Sequence, residues 1–187
     1  GITNFIIRDK IDAPATRVRI GHGSYKTTNA GFYHQDRKGN LNVLFGGSYE
    51  RSDYTDYGTE DSWLHILDDP DYQKTKLYMK GSYFFDRDDH KLSLFAHHTQ
   101  HTGDAGRPNR NFDHTYDTVN LAYGNQVSRS VNVQLKTGYR GYDRRWAGDN
   151  YPDLNLSEYG GVVQKIYPSD LTLNIRHAGD SMLTLGA

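Results

Sequence analysis

Cysteine is absent from the 187 residues, which excludes a disulfide framework and any thiolate metal site. A long hydrophobic run is also missing: nothing approaches the ~18 apolar residues of a membrane-crossing helix. Charge of one sign is lacking. With 22 basic and 23 acidic residues the net charge is −1, which carries no nucleic-acid footprint. Apolar residues are scarce at 35%, too few to fill a large dry core. No initiator Met or signal peptide leads the chain, so Gly1 reads as a boundary of processing, proteolysis or expression. No nucleophile elbow, Walker loop or His-Glu-x-x-His helix occurs. The chain therefore reads as a non-enzyme with no cofactor and no metal centre.

What the chain has in abundance is aromatic and flexible: 15 Tyr and 19 Gly against 5 Pro. That is too aromatic for disorder. A transmembrane β-barrel reconciles scarce apolar residues with high aromatic content, because its inner face stays polar and wet. A Tyr-rich soluble sandwich or lectin-like domain is the alternative.

The stretch Ser130–Tyr142 favours the barrel. Val131, Val133, Leu135, Thr137 and Tyr139 alternate with Asn132, Gln134, Lys136, Gly138 and Arg140. A period of two puts one set on each face of a strand. The run exceeds the usual ~5–6 residues and suits the ~9–11 of a spanning strand. Similar strands are expected at 16–23, 27–35, 41–50, 73–85, 90–101, 114–127, 154–166, 171–177 and 181–187. Short connections fall at 36–40, 86–89, 128–129 and 167–170, the last marked by Pro168. Long ones fall between them at 52–71, 102–113 and 143–153, with one helical turn expected at Ser62–Leu67. The short links at 24–26 and 178–180 fall at the long-loop end and break the pattern. Short turns at one rim and long loops at the other is the outer-membrane layout. The expected fold is thus all-β: an antiparallel up-and-down meander of about ten strands, part of a transmembrane β-barrel. The last segment, Thr184-Leu185-Gly186-Ala187, looks like an unfinished strand.

Several motifs carry a family resemblance. Gly1-Ile-Thr-Asn-Phe-Ile-Ile-Arg8 resembles the close of the plug domain in TonB-dependent outer-membrane receptors, with Ile7 where Thr is common. Val18-Arg-Ile-Gly-His-Gly-Ser-Tyr-Lys-Thr27 is similar to that family's first barrel strand and tight first loop. Leu44-Phe-Gly-Gly-Ser-Tyr-Glu-Arg-Ser-Asp53 resembles the third strand entering a long extracellular loop, and Ser181–Ala187 a downward mid-barrel strand. The resemblance implies that residues 1–15 end a plug domain and linker, and that 16–187 form the N-terminal half of a 22-stranded barrel. It also implies uptake of a ferric siderophore or a similar metal chelate or nutrient at the bacterial outer membrane. The implied partners are outer-membrane lipid and lipopolysaccharide, the missing plug and remaining strands, the TonB complex acting through that plug, and a small metal-chelate ligand. Nucleic acid is not among them. Most of the plug and half of the barrel lie outside this sequence.

Candidate ligand-binding residues follow from residue type. Arg140, Tyr142, Arg144, Arg145 and Trp146 combine cations with aromatic faces, which suits an anionic iron chelate. A rim for lipopolysaccharide phosphates or plain girdle packing explains the same residues. His97 and His101 share a strand face but stand ~13 Å apart, too far to share one metal; polar wall residues are the plainer reading. Asp53, Asp56, Glu60, Asp61, Asp68, Asp69 and Asp71 crowd the longest loop without matching a calcium-loop spacing. Two other readings remain at this stage: a small complete outer-membrane barrel or adhesin without transport, or a soluble carbohydrate-binding β domain.

Overall fold

The computed structural model describes residues 9–53, 71–104, 111–147, 159–177 and 181–186. The plug-like segment 1–8, the turn expected at Ser62–Leu67 and the acidic residues Asp56, Glu60, Asp61, Asp68 and Asp69 lie outside them. Among the described residues there are ten strands: β1 (Ala15–His22), β2 (Thr28–Lys38), β3 (Leu41–Asp53), β4 (Asp71–Phe84), β5 (Lys91–Asp104), β6 (Asn111–Ser128), β7 (Val131–Ala147), β8 (Tyr159–Ile166), β9 (Ser169–Arg176) and β10 (Met182–Gly186). They form one antiparallel sheet, β1 to β7 in chain order with β8 and β9 both paired to β7 and β10 to β9, the all-β meander expected from the alternation.

Three connections differ from expectation. The chain does not reverse at 167–170. Arg140 pairs with Ile166 and Thr137 with Ser169, so β8 and β9 run on in one unbroken register against β7. Pro168 interrupts only the ladder: Gly138 N–H donates to its carbonyl at 3.0 Å, and proline has no N–H to return the bond. The link after β9 therefore falls at the short-turn rim, where Arg176 N–H bonds Ser130 O at 2.7 Å. This removes one of the two exceptions in the loop pattern. The connection expected at 102–113 is shorter than composition suggested, since β5 extends to Asp104 and β6 begins at Asn111. The one expected at 143–153 keeps its length but moves along the chain, since β7 continues to Ala147 and β8 begins at Tyr159.

The first link, at the opposite rim, is a tight hairpin. Tyr25 and Lys26 both have positive φ, 54° and 51°, and Thr27 N–H bonds Ser24 O at 3.0 Å. Left-handed backbone is costly for residues carrying a Cβ, and asparagine tolerates it best. Surrounding contacts hold the turn: Asp53 N–H donates to Tyr25 O at 2.9 Å and Lys26 Nζ to Asp53 at 2.8 Å. Tyr25→Asn is expected to stabilise the hairpin by ~0.5–1 kcal/mol. Equilibrium unfolding in detergent checks this, and an unchanged or lower midpoint counts against it.

Burial is inverted relative to a water-soluble sheet. Among the described residues only Ile11 and Leu44 are buried apolar side chains, whereas Asn42, Ser52, Ser82, Ser93 and Thr99 are all buried. Leu77, Leu94, Val119, Leu121, Leu135 and Leu171 lie exposed on the other face. No second layer covers that face among the described residues.

The apolar stripe runs obliquely across the sheet. On β1 it consists of Val18 and Ile20; on β9 it consists of Leu171, Leu173 and Ile175. Following hydrogen-bonded partners from Val18 through Phe32, Gly47, Leu77, His98, Asp117 and Gly141 arrives at Lys165, eight residues before Leu173. Seven inter-strand steps of ~4.8 Å against eight residues of ~3.3 Å give an angle of about 40° between stripe and rows.

Residues 9–14 form a strap across the polar face. Ile11 N–H donates to Asn42 Oδ1 at 2.8 Å, Gln35 Nε2 to Ala13 O at 2.7 Å, and Lys10 Nζ to Asp88 at 2.6 Å.

Candidate functional site

Alternation assigns Arg140, Tyr142 and Arg144 on β7 to the polar face and Asp143 and Arg145 to the other. Arg145 is spent on Asp143, donating through Nε at 3.1 Å and Nη2 at 2.8 Å. The five-residue grouping suggested by sequence is therefore split by the pleat. Trp146 pairs through its backbone with Phe112 and Gly160.

Strand register then adds neighbours to the polar-face members. One row across the sheet reads Glu50, Lys74, His101, His114, Arg144; the next toward the turn rim reads Ser48, Lys76, Thr99, Tyr116, Tyr142. Arg19 joins the second row through Gly31. The rings meet in a chain. His101 lies 5.8 Å from Tyr72 and 4.9 Å from Phe112, between centroids. His114 lies 5.2 Å from Phe112 and 6.2 Å from His101. Tyr116 and Tyr142 stand 4.8 Å apart, and the Arg144 guanidinium carbon is 5.8 Å from the Tyr142 ring centre. Tyr72 donates its hydroxyl to Glu50, the one carboxylate in these two rows, at 2.6 Å. Arg19, Lys74, Lys76 and Arg144 outnumber that single negative charge and make a cationic wall with aromatic faces, suited to an anionic ligand that has planar groups.

His97 shares this face but sits two residues past the second row's Thr99, toward the turn rim. Its ring is parallel to Phe95 at 6.4 Å and its Nε2 meets Thr99 Oγ1 at 3.1 Å. It is wall packing separate from the ring chain, and the structure does not bring it together with His101. His98 faces the other side, paired with Asp117 at 2.7 Å. Sequence reasoning missed Tyr72, Phe112, His114 and Tyr116. Each sits at a polar-face position of its own strand, but only the register places them beside Tyr142 and His101.

A second polar cluster lies lower on the same face. Asp9 of the strap is bound by Lys80 Nζ at 2.7 Å and by Lys91, and Ser82 and Ser93 each donate to it at 3.3 Å. Burial of this carboxylate pushes its pKa up, but hydrogen bonds and charge from Lys80 and Lys91 outweigh that and hold it at about 2. The cluster borders a groove of about 560 Å³ lined also by Phe95, Asn120, Gln134 and Lys136. No group of three or more His, Cys, Asp or Glu placed to hold a metal occurs among the described residues. No protein-family model, curated protein or solved structure matches the chain.

Proposed function

We propose that this sheet is one side of an outer-membrane β-barrel of the TonB-dependent receptor type, and that its loop-rim wall contacts an anionic metal chelate during uptake. The oblique apolar stripe carries the reading. Strands of a membrane barrel tilt by ~35–45°, so a band level with the bilayer must cross the hydrogen-bonded rows at that angle. A stripe at about 40° on the exposed face, opposite a buried polar face, is what such a wall requires. A soluble sheet has no reason to leave Leu77, Leu94, Val119, Leu121 and Leu135 on its open side without a covering layer.

Aliphatic side chains then face lipid, and Tyr83, Phe85, His90 and Tyr123 form an aromatic cluster at the turn rim, with Phe85 and His90 stacked at 4.4 Å. The inner wall offers Lys74, Lys76, Arg140, Arg144 and the ring chain to a ligand entering from the loop side. Energy for transport comes from the TonB complex through a plug that precedes this part of the chain.

Binding of a ferric tricatecholate by the receptor carrying this chain is the test. Tyr142→Ala with Arg144→Ala is expected to weaken binding about tenfold, the equivalent of ~1.4 kcal/mol from a lost cation–π contact and ring face. Arg145→Ala, on the opposite face, is expected to leave binding unchanged. Equal effects from both would remove the inner wall from ligand contact.

A further inference from the structure

We propose that Lys80, Lys91, Ser82 and Ser93 form an oxyanion-binding site on the inner wall, which Asp9 of the strap occupies as a tethered competitor. The four donors come from two adjacent strands. Ser82 pairs directly with Ser93 in the β4–β5 register, and their hydroxyls are 3.1 Å apart. The lysines flank them, Lys80 two residues before Ser82 and Lys91 two before Ser93, all on one face. Alternation thus places two ammonium groups and two hydroxyls around one point, which Asp9 fills with both carboxylate oxygens.

The cage is built into the wall. Ser82 is 2% exposed and Ser93 7%, and the Lys80 side chain is 14% exposed, with Lys91 at 34% on the open side. An ammonium held as far from water as that of Lys80 needs an anion, and charge-assisted bonds to oxygen are the strong ones. The strap supplies that anion from beside the groove, and its contacts with the wall include the Ile11 amide on Asn42, the Ala13 carbonyl on Gln35, and Lys10 on Asp88, whose side chain is 74% exposed. When the strap lifts, the cage opens onto the 560 Å³ groove, with Lys136 as a further cation and Asn120 and Gln134 as polar lining. Asp88 and Asp89 also line that groove and oppose ligands of high charge. The site therefore fits a small singly or doubly charged oxyanion, a carboxylate or a phosphate. Its place below the ring chain makes it a second station on the inner wall for an anionic solute.

This inference needs only the inner-wall geometry and not the metal-chelate reading, so either can fail alone. The test uses the whole chain in detergent micelles with inorganic phosphate as the probe and acetate as the carboxylate arm. Asp9→Ala is expected to bind phosphate at least tenfold more tightly than the unaltered chain, and adding Lys91→Met is expected to remove that gain. In the unaltered chain, phosphate is expected to shift the Ile11 amide resonance as the strap is displaced, a readout that does not depend on a variant folding. A gain with acetate but not phosphate narrows the ligand to carboxylates. Asp9→Ala binding both anions no better than the unaltered chain, or an Ile11 resonance indifferent to both, overturns the proposal.

Discussion

Leu121→Arg is expected to lower the folded fraction in phosphocholine vesicles by ~2–4 kcal/mol, whereas Asn120→Arg, one residue away, changes it by less than ~1 kcal/mol. Leu121 lies mid-stripe between Leu94 and Thr137 on the exposed face. In a bilayer a guanidinium there must be dragged into hydrocarbon or force the lipid to thin. Asn120 looks into the groove beside Phe95 and Gln134, where water solvates an added charge. Urea titration of vesicle-bound protein measures both. The pair is a sharper probe than either variant alone, because local propensity and chain position are shared and only the face differs. Equal costs, or tolerance of Leu121→Arg, would mean that the exposed stripe does not meet lipid.

Acidification is expected to release the strap. Docked, the Asp9 carboxyl has a pKa of about 2, against an ordinary 3.8 when free. A lowered pKa means that the docked state binds protons less readily, so docking is favoured most above 3.8 and the advantage fades as pH falls from 3.8 to 2. The lost stabilisation is about 2 kcal/mol at ~1.36 kcal/mol per unit. The Ile11 amide resonance followed from pH 6 downward reports it, with Asp9→Ala as the variant that should show no such titration. A strap that stays docked to pH 2, or that titrates equally without Asp9, would show that the two lysines do not hold it.

Much of the fold could be read from alternation alone. The two faces of the 131–139 stretch follow from a period of two, because the pleat leaves no other choice. Tyr167-Pro168-Ser169-Asp170 was misread as a turn for a physical reason: a proline with polar neighbours usually marks a reversal. Here it costs one ladder bond, of ~0.5–1.5 kcal/mol, opposite Gly138. A Cβ on Gly138 would come within 2.7 Å of Asn120 Oδ1, so the glycine fits a crowded point on the strand that meets the break. The ring chain was out of reach of sequence because it depends on four strands being in register. His101 and His114 are 13 residues apart in the chain, and only the β5–β6 pairing puts them opposite each other. Linear proximity instead grouped Arg145 with Arg144, although successive residues of a strand point opposite ways. The Asp9 cage had no sequence signal, since lone lysines and serines on strands are commonplace.

The unbroken register through Tyr167 and Pro168 has a consequence for how this leg of the chain tolerates change in length. Tyr167 rests against Tyr139 at 5.4 Å on the same side as Leu171 and Leu173, so the pleat keeps count across the proline. Residues added or lost at that point therefore matter by parity. Two at a time leave every following side chain on its own face, but a single one turns Leu171, Leu173 and Ile175 onto the polar face and their polar alternates onto the apolar one. A true turn would absorb such a change in its loop; an unbroken strand passes it on to every residue downstream.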